Sequence, residues 1–130
     1  MAERELIAYI RRLAEADRPA WLDVGIGDDA AVLRTPGGEE LVVTTDSVVA
    51  GVHFAPGTAP RLVGRKGIAR GLSDLAAMAA RPLCTLAAAF FGPDLADDAC
   101  RELSRALYET AREMGAPLIG GDVASGEGPT

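Results

Sequence analysis

Leu6, Ile7, Ile10, Leu13 and Ala14 fall at i, i+1, i+4, i+7 and i+8, with Glu and Arg filling the positions between them. This spacing puts one apolar stripe on a helix over about residues 2–16, which Pro19 ends. WLDVGIGDD, residues 21–29, breaks the period and reads as a loop. Two short runs, residues 30–34 and 41–45, flank TPGGEE and predict an antiparallel hairpin. Residues 47–60 read as a loop with some apolar content.

A second helix is expected over about residues 61–79, with Leu62, Ile68, Leu72, Leu75, Ala76 and Ala79 on its buried side. Gly64, Gly67 and Gly71 lie on that side too. Each glycine costs a helix about 1 kcal/mol relative to alanine, so their presence predicts close packing against another backbone. Arg81-Pro82 stops the helix, and the nearly all-apolar LCTLAAAFF, residues 83–91, reads as a strand buried on both faces. Asp94 or Asp97 is the expected cap of a third helix running to about Met114, with Leu95, Ala99, Leu103, Leu107, Ala111 and Met114 at spacings of three and four. Gly115 is placed as its C-terminal cap. A short strand over residues 117–119, a glycine turn over 120–122 and a polar, flexible tail complete the reading. The order helix, strand, strand, helix, strand, helix, strand predicts an α/β (α+β) domain with a mixed sheet and flanking helices. The tail stands where a last strand should complete that sheet, so the chain reads as a fragment of a longer protein.

The 130 residues suit one domain, and 48% hydrophobic content excludes wholesale disorder. Thirteen Lys plus Arg against nineteen Asp plus Glu leave a formal charge of −6. With no basic cluster, that excludes nucleic-acid binding as the main task. An acidic chain still binds phosphates when metal ions stand between the two sets of negative charge. No apolar run reaches the roughly 18 residues of a transmembrane helix, and MAERELIAYIRR is not a signal peptide. Cys84 and Cys100 lack metal-ligand spacing, so a reduced, cytoplasmic chain without a membrane partner is expected.

The polar residues that could carry chemistry recur at element junctions. Gly-Ile-Gly-Asp-Asp (25–29) precedes a strand, Thr44-Thr45-Asp46 closes one, Ser73-Asp74 interrupts an apolar helix, and Gly120-Gly121-Asp122 follows a strand. Carboxylates with hydroxyl and carbonyl oxygens suit Mg²⁺, a hard ion that keeps waters and substrate phosphates in its shell. Each piece also has a plain reading: a turn, a strand end with a cap, a solvated helix position, a loop. Gly25-x-Gly27-x-x-Ala30 with Asp46 about 20 residues on matches a loose dinucleotide fingerprint. A strand-like stretch follows it instead of a helix, and Asp28 and Asp29 would meet the pyrophosphate, so that reading fails. His53, the single histidine, is either a structural loop residue or a donor to a phosphate. Lys66 and Arg70 read as a solvated helix face.

Together, GIGDDAAVL (25–33), TTDSVVAGVHF (44–54), GLSDLAAMAARP (71–82) and LIGGD (118–122) resemble the N-terminal half of the thiamine-monophosphate kinase family. The wider superfamily includes aminoimidazole ribonucleotide synthetase, selenophosphate synthetase and the carbamoyl-dehydrating hydrogenase maturation protein. The resemblance implies transfer of the γ-phosphoryl group of ATP to thiamine monophosphate, with several Mg²⁺ ions. It implies a homodimer whose sheets pair across the interface in a barrel-like core, and a C-terminal domain that this chain lacks. Matched position by position, it implies Asp29, Thr44, Thr45, Asp46, Asp74 and Asp122 as metal ligands, with Asp46 and Asp74 central to catalysis. Gly121 and Asp122 would lie against ATP, and His53 against the thiamine phosphate. A related ATP-using synthetase and a non-catalytic dimerisation domain remain as alternatives.

Overall fold

The computed structural model describes residues 2–128 and 130. Its elements run α1 (Glu3–Glu15), β1 (Leu22–Val24), β2 (Ala31–Arg34), β3 (Glu40–Val43), α2 (Pro60–Ala77), β4 (Thr85–Phe91), α3 (Asp97–Glu113) and β5 (Leu118–Ser125). β1, β2 and β3 form an antiparallel sheet in that order, and β4 and β5 form a separate parallel pair. The α/β expectation therefore holds, with both kinds of strand pairing present. The chain divides into two compact units: Met1–Thr45 with Ser73–Arg81, and Asp46–Leu72 with Pro82–Thr130.

In the first unit, Glu5 accepts a hydrogen bond from the Ala2 N–H at 3.2 Å, and Glu3, Glu5 and Arg12 sit where the α1 dipole favours them. The stripe is as predicted, yet Leu6, Ile7, Ile10 and Leu13 are 41–57% exposed. The predicted hairpin forms with Ala31 opposite Val43 and Arg34 opposite Glu40. Gly38, at φ +86°, makes its turn, and the Thr35 N–H closes it on the Glu39 carbonyl at 2.9 Å. β1 lies inside the stretch expected to be a loop. Arg18 fixes its backbone by donating to the Leu22 and Asp23 carbonyls at 3.1 and 2.9 Å, and Arg34 pairs with Asp23 across the strands at 2.5 Å.

The C-terminal end of α2 also belongs to this unit. The Ala80 N–H bonds the Leu75 carbonyl and the Ala79 N–H the Ala76 carbonyl, the bonds of a Schellman cap. That cap requires a left-handed residue, and Ala79 supplies it at φ +53° with the steric cost of a β-carbon.

In the second unit, Gly64 fulfils the close-packing expectation. A β-carbon there would lie 2.6 Å from the Leu103 carbonyl oxygen and 2.8 Å from the Ala106 Cβ of α3. α3 buries Leu103, Ala106, Thr110 and Ala111 on one face. Its N-cap is Ala96, with no side-chain cap bond, so neither Asp94 nor Asp97 caps it; Asp97 and Asp98 occupy its first turn. Its C-terminus does end at Gly115, φ +72°, with the Ala116 N–H on the Ala111 carbonyl at 2.9 Å.

Two strand expectations need correcting. β4 is not buried on both faces: its exposure alternates, with Leu86 at 71% and Phe90 at 40%. Among the described residues it has one partner strand, and α3 packs against the pair, so one side of β4 is uncovered by them. Gly120-Gly121-Asp122 is not a turn: β5 runs through it to Ser125, with Gly121 opposite Ala87 and Asp122 opposite Ala88. Within the expected flexible tail, Thr130 accepts bonds from the Ala50 and Gly92 N–H groups at 2.8 and 2.9 Å.

Glycine and alanine at two helix positions should respond with opposite signs. Gly64→Ala gains helix propensity but forces overlap with α3, and we expect a net loss of about 1–3 kcal/mol. Ala79→Gly removes the left-handed strain against a smaller entropy cost, and we expect a gain of about 0.5–1 kcal/mol. Urea denaturation of the two variants checks both signs.

Candidate functional site

The first unit brings together three segments distant in sequence. Thr44, directly after β3, donates its hydroxyl to Asp74 Oδ2 at 2.9 Å, and the Asp29 carbonyl lies 3.3 Å from the same Oγ1. Thr44 and Asp74 are half-buried. Asp74 thus does not lie on a merely solvated helix face. The loop carrying Asp29 is shaped by Gly27, φ +117°, whose missing β-carbon would lie 3.1 Å from the Arg11 guanidinium. Asp28 accepts the Asp29 N–H at 2.9 Å. Thr45 follows on the same strand exit, exposed. A cleft of about 410 Å³ in the same unit, lined by residues including Trp21, Leu22 and Leu33, contains none of the predicted site residues.

In the second unit, Asp46 is held at both oxygens. Arg70 Nε lies 2.6 Å from Oδ2, and the Ser47 N–H donates to Oδ1 at 2.8 Å. The Arg70 guanidinium holds the Asp46 carboxyl below the usual carboxylate range. Partial burial opposes this shift, while the Ser47 N–H and the charges of Arg70 and His53 add to it.

His53 Nδ1 accepts the Val49 N–H at 3.0 Å, so the neutral ring carries its proton on Nε2, a donor suited to a phosphate oxygen. The Lys66 ammonium donates to the His53 carbonyl. Lys66 and Arg70 are therefore engaged side chains, which corrects their reading as a solvated face. No local sequence signal marks Arg70, because its partner Asp46 lies 24 residues away.

Gly121 and Asp122 are exposed on β5. A β-carbon at Gly121 would lie 1.8 Å from the Ala87 carbonyl oxygen, so the strand pair itself demands glycine there.

The Thr44–Asp74–Asp29 set is made only of oxygen donors, which fits a hard divalent ion. Among the described residues, no group of three or more His, Cys, Asp or Glu side chains forms a ready-made metal cage.

Residues 27–130 match the family of AIR synthase related proteins, N-terminal domain, and the chain belongs to that family. It is 40% identical over 121 residues to the thiamine-monophosphate kinase of Escherichia coli (strain K12), covering 92% of this chain and 37% of that protein. It is 42% identical over 128 residues to the thiamine-monophosphate kinase of Caulobacter vibrioides, covering 98% and 36%. The solved structure of AaThiL complexed with AMPPCP and TMP superposes with a TM-score of 0.78 at 25% identity, covering 98% of this chain and 40% of that one. The chain therefore spans less than two-fifths of the curated relatives named here.

The Asp46–Arg70 pair sets a pH dependence. A carboxyl whose folded pKa is lowered contributes stability above its ordinary value, about 3.9, and loses it as pH falls through the lowered value. In a carboxyl-carbon NMR titration Asp46 should therefore have a midpoint below that of an ordinary aspartate. Arg70→Met should move the midpoint upward; an unmoved midpoint would show that the pair does not form in solution.

Proposed function

We propose that this chain is the ATP- and magnesium-binding N-terminal domain of a thiamine-monophosphate kinase, which transfers the γ-phosphoryl group of ATP to thiamine monophosphate. The observation that carries the reading is the meeting of Asp29, Thr44 and Asp74, from three distant segments, in one oxygen-donor cluster. Support for the reaction comes from the kinase relatives named above and from the similarity to AaThiL, which was solved with AMPPCP and TMP bound.

The residues that would hold magnesium ions are Asp29, Thr44, Thr45 and Asp74 in the first unit and Asp46 and Asp122 in the second. When bound, magnesium ions neutralise the phosphates and the charge that develops between them. The protein's part is positioning. The accepting phosphate oxygen is already ionised at neutral pH, so no strong general base is required. Asp74 is kept in place by the Thr44 hydroxyl and Asp46 by the Ser47 N–H. His53 offers Nε2–H to the substrate phosphate. Gly121 and Asp122 offer ATP a flat strand surface without a side chain at the first position. In this reading the enzyme works in the cytoplasm, where the free thiols of Cys84 and Cys100 stay reduced. Among the described residues, no helix is long and apolar enough to cross a membrane.

The reading includes a homodimer built through the β4–β5 sheet. A two-stranded sheet with Leu86 71% and Phe90 40% exposed on one face is marginal alone, and a second copy would cover it.

With the rest of the enzyme supplied, Asp74→Asn should lower turnover by about a hundredfold or more, and Thr44→Val by less. ATP-dependent formation of thiamine diphosphate is the assay. The 130-residue chain alone should show almost no turnover; normal turnover by it would overturn the reading that further parts of the enzyme are required. Absence of Mg²⁺-dependent ATP binding in the completed protein would favour the dimerisation-module reading. Leu86→Arg should shift a sedimentation profile from dimer to monomer, and an unchanged profile would remove the sheet from the interface.

A further inference from the structure

The segment that carries His53 folds back on itself. The Val49 carbonyl accepts the Val52 and His53 N–H groups at 3.2 and 2.8 Å, and the Gly51 N–H bonds the Phe54 carbonyl at 2.9 Å. Gly51, at φ +76°, lets the chain turn between them. The Val49 N–H donates to His53 Nδ1 at 3.0 Å. These bonds set the shape of the turn and the tilt of the ring within it, but none of them ties the turn to its surroundings. Three other bonds do. The Ala50 N–H donates to the Thr130 carbonyl at 2.8 Å, Asp46 pairs with Arg70 of α2, and the His53 carbonyl accepts from the Lys66 ammonium of the same helix. Of these ties, the one from Lys66 is made to the residue that bears the ring.

We propose that Lys66 is a positioning residue, which through the His53 carbonyl fixes the place where the imidazole Nε2–H meets the substrate phosphate. This rests on the reading of His53 as a donor to the thiamine phosphate. Between a histidine's backbone and its ring stand only the χ1 and χ2 torsions. With the carbonyl held by Lys66 and Nδ1 by the Val49 N–H, both ends of the residue are fixed and the direction of Nε2 follows. An ammonium suits the task, since its bond to a carbonyl is charge-assisted and it offers three donors and no acceptor. Lys66 is exposed, so the bond adds little to the stability of the whole unit. Its effect is local. A misplaced donor weakens the hold on a phosphate and leaves the step between the phosphates, which uses other residues, unchanged. A lysine that merely decorates α2 would alter neither the ring nor the substrate's affinity.

His53 is the chain's single histidine, so NMR relaxation of its ring carbons reads the imidazole directly in the 130-residue chain. In Lys66→Met the order parameter of the ring should fall by about 0.1 or more from the wild-type value, and in Lys66→Arg it should stay at that value. With the rest of the enzyme supplied, Lys66→Met should raise the KM for thiamine monophosphate about threefold to tenfold, with kcat and the KM for ATP within about twofold of wild type. Lys66→Arg should keep all three within about twofold. If Lys66→Met does not fold, Lys66→Ala takes its place in the same measurements. A KM for thiamine monophosphate unchanged in His53→Ala removes His53 as the phosphate donor and the proposal with it. A KM raised in His53→Ala but not in Lys66→Met overturns the proposal alone. A KM raised in Lys66→Met with the ring as ordered as before assigns Lys66 to the substrate itself and overturns the positioning role, as does a Lys66→Arg variant that behaves like Lys66→Met.

Discussion

A carboxylate kept at a fixed position must have something to balance it, and in this protein Asp23, Asp46 and Asp74 each have such a partner. Asp46 has Arg70 and the Ser47 N–H, Asp74 has the Thr44 hydroxyl, and Asp23 has Arg34. The partners differ in kind, and the difference bears on chemistry. The Thr44 hydroxyl orients Asp74 through a hydrogen bond that brings no opposite charge. The guanidinium at Asp46 cancels charge as well as orienting it. The two aspartates thus stand in different electrostatic surroundings, although in sequence both are short acids at element junctions.

Much of the fold is legible in the sequence because most elements carry their own local instructions. The stripe of α1, the turn chemistry between β2 and β3, and the Gly115 cap of α3 each need only a few neighbouring residues to be read. β1 is illegible because three residues hold no period; Arg18 and Arg34 define that strand from outside it. β5 reads too short because two consecutive glycines signal a turn in isolation, whereas here the second is a strand residue required by the approach of Ala87. The faces of β4 are ambiguous in sequence because an unbroken apolar run cannot say whether both sides are covered.

At the site, residue types are legible and partners are not. The oxygen-rich composition at residues 29, 44 and 74 points to their chemistry, and the fold brings those three together. The link between Asp46 and Arg70 crosses 24 residues, and no local pattern encodes it. Charge complementarity at such a distance in sequence is a property of the folded chain alone.

Gly121 shows why function should not be read from a glycine without its packing. The resemblance places it against ATP, where a bare backbone suits a nucleotide's close approach. The parallel register places it against Ala87, where a β-carbon would overlap the carbonyl oxygen at 1.8 Å. Any side chain at this position disturbs β4 and β5 before it reaches a ligand. Loss of nucleotide binding on substitution would follow from either cause. Asp122, next on the strand and exposed, carries no such steric demand, so the chemical role of this segment is separable from its packing at the aspartate and not at the glycine.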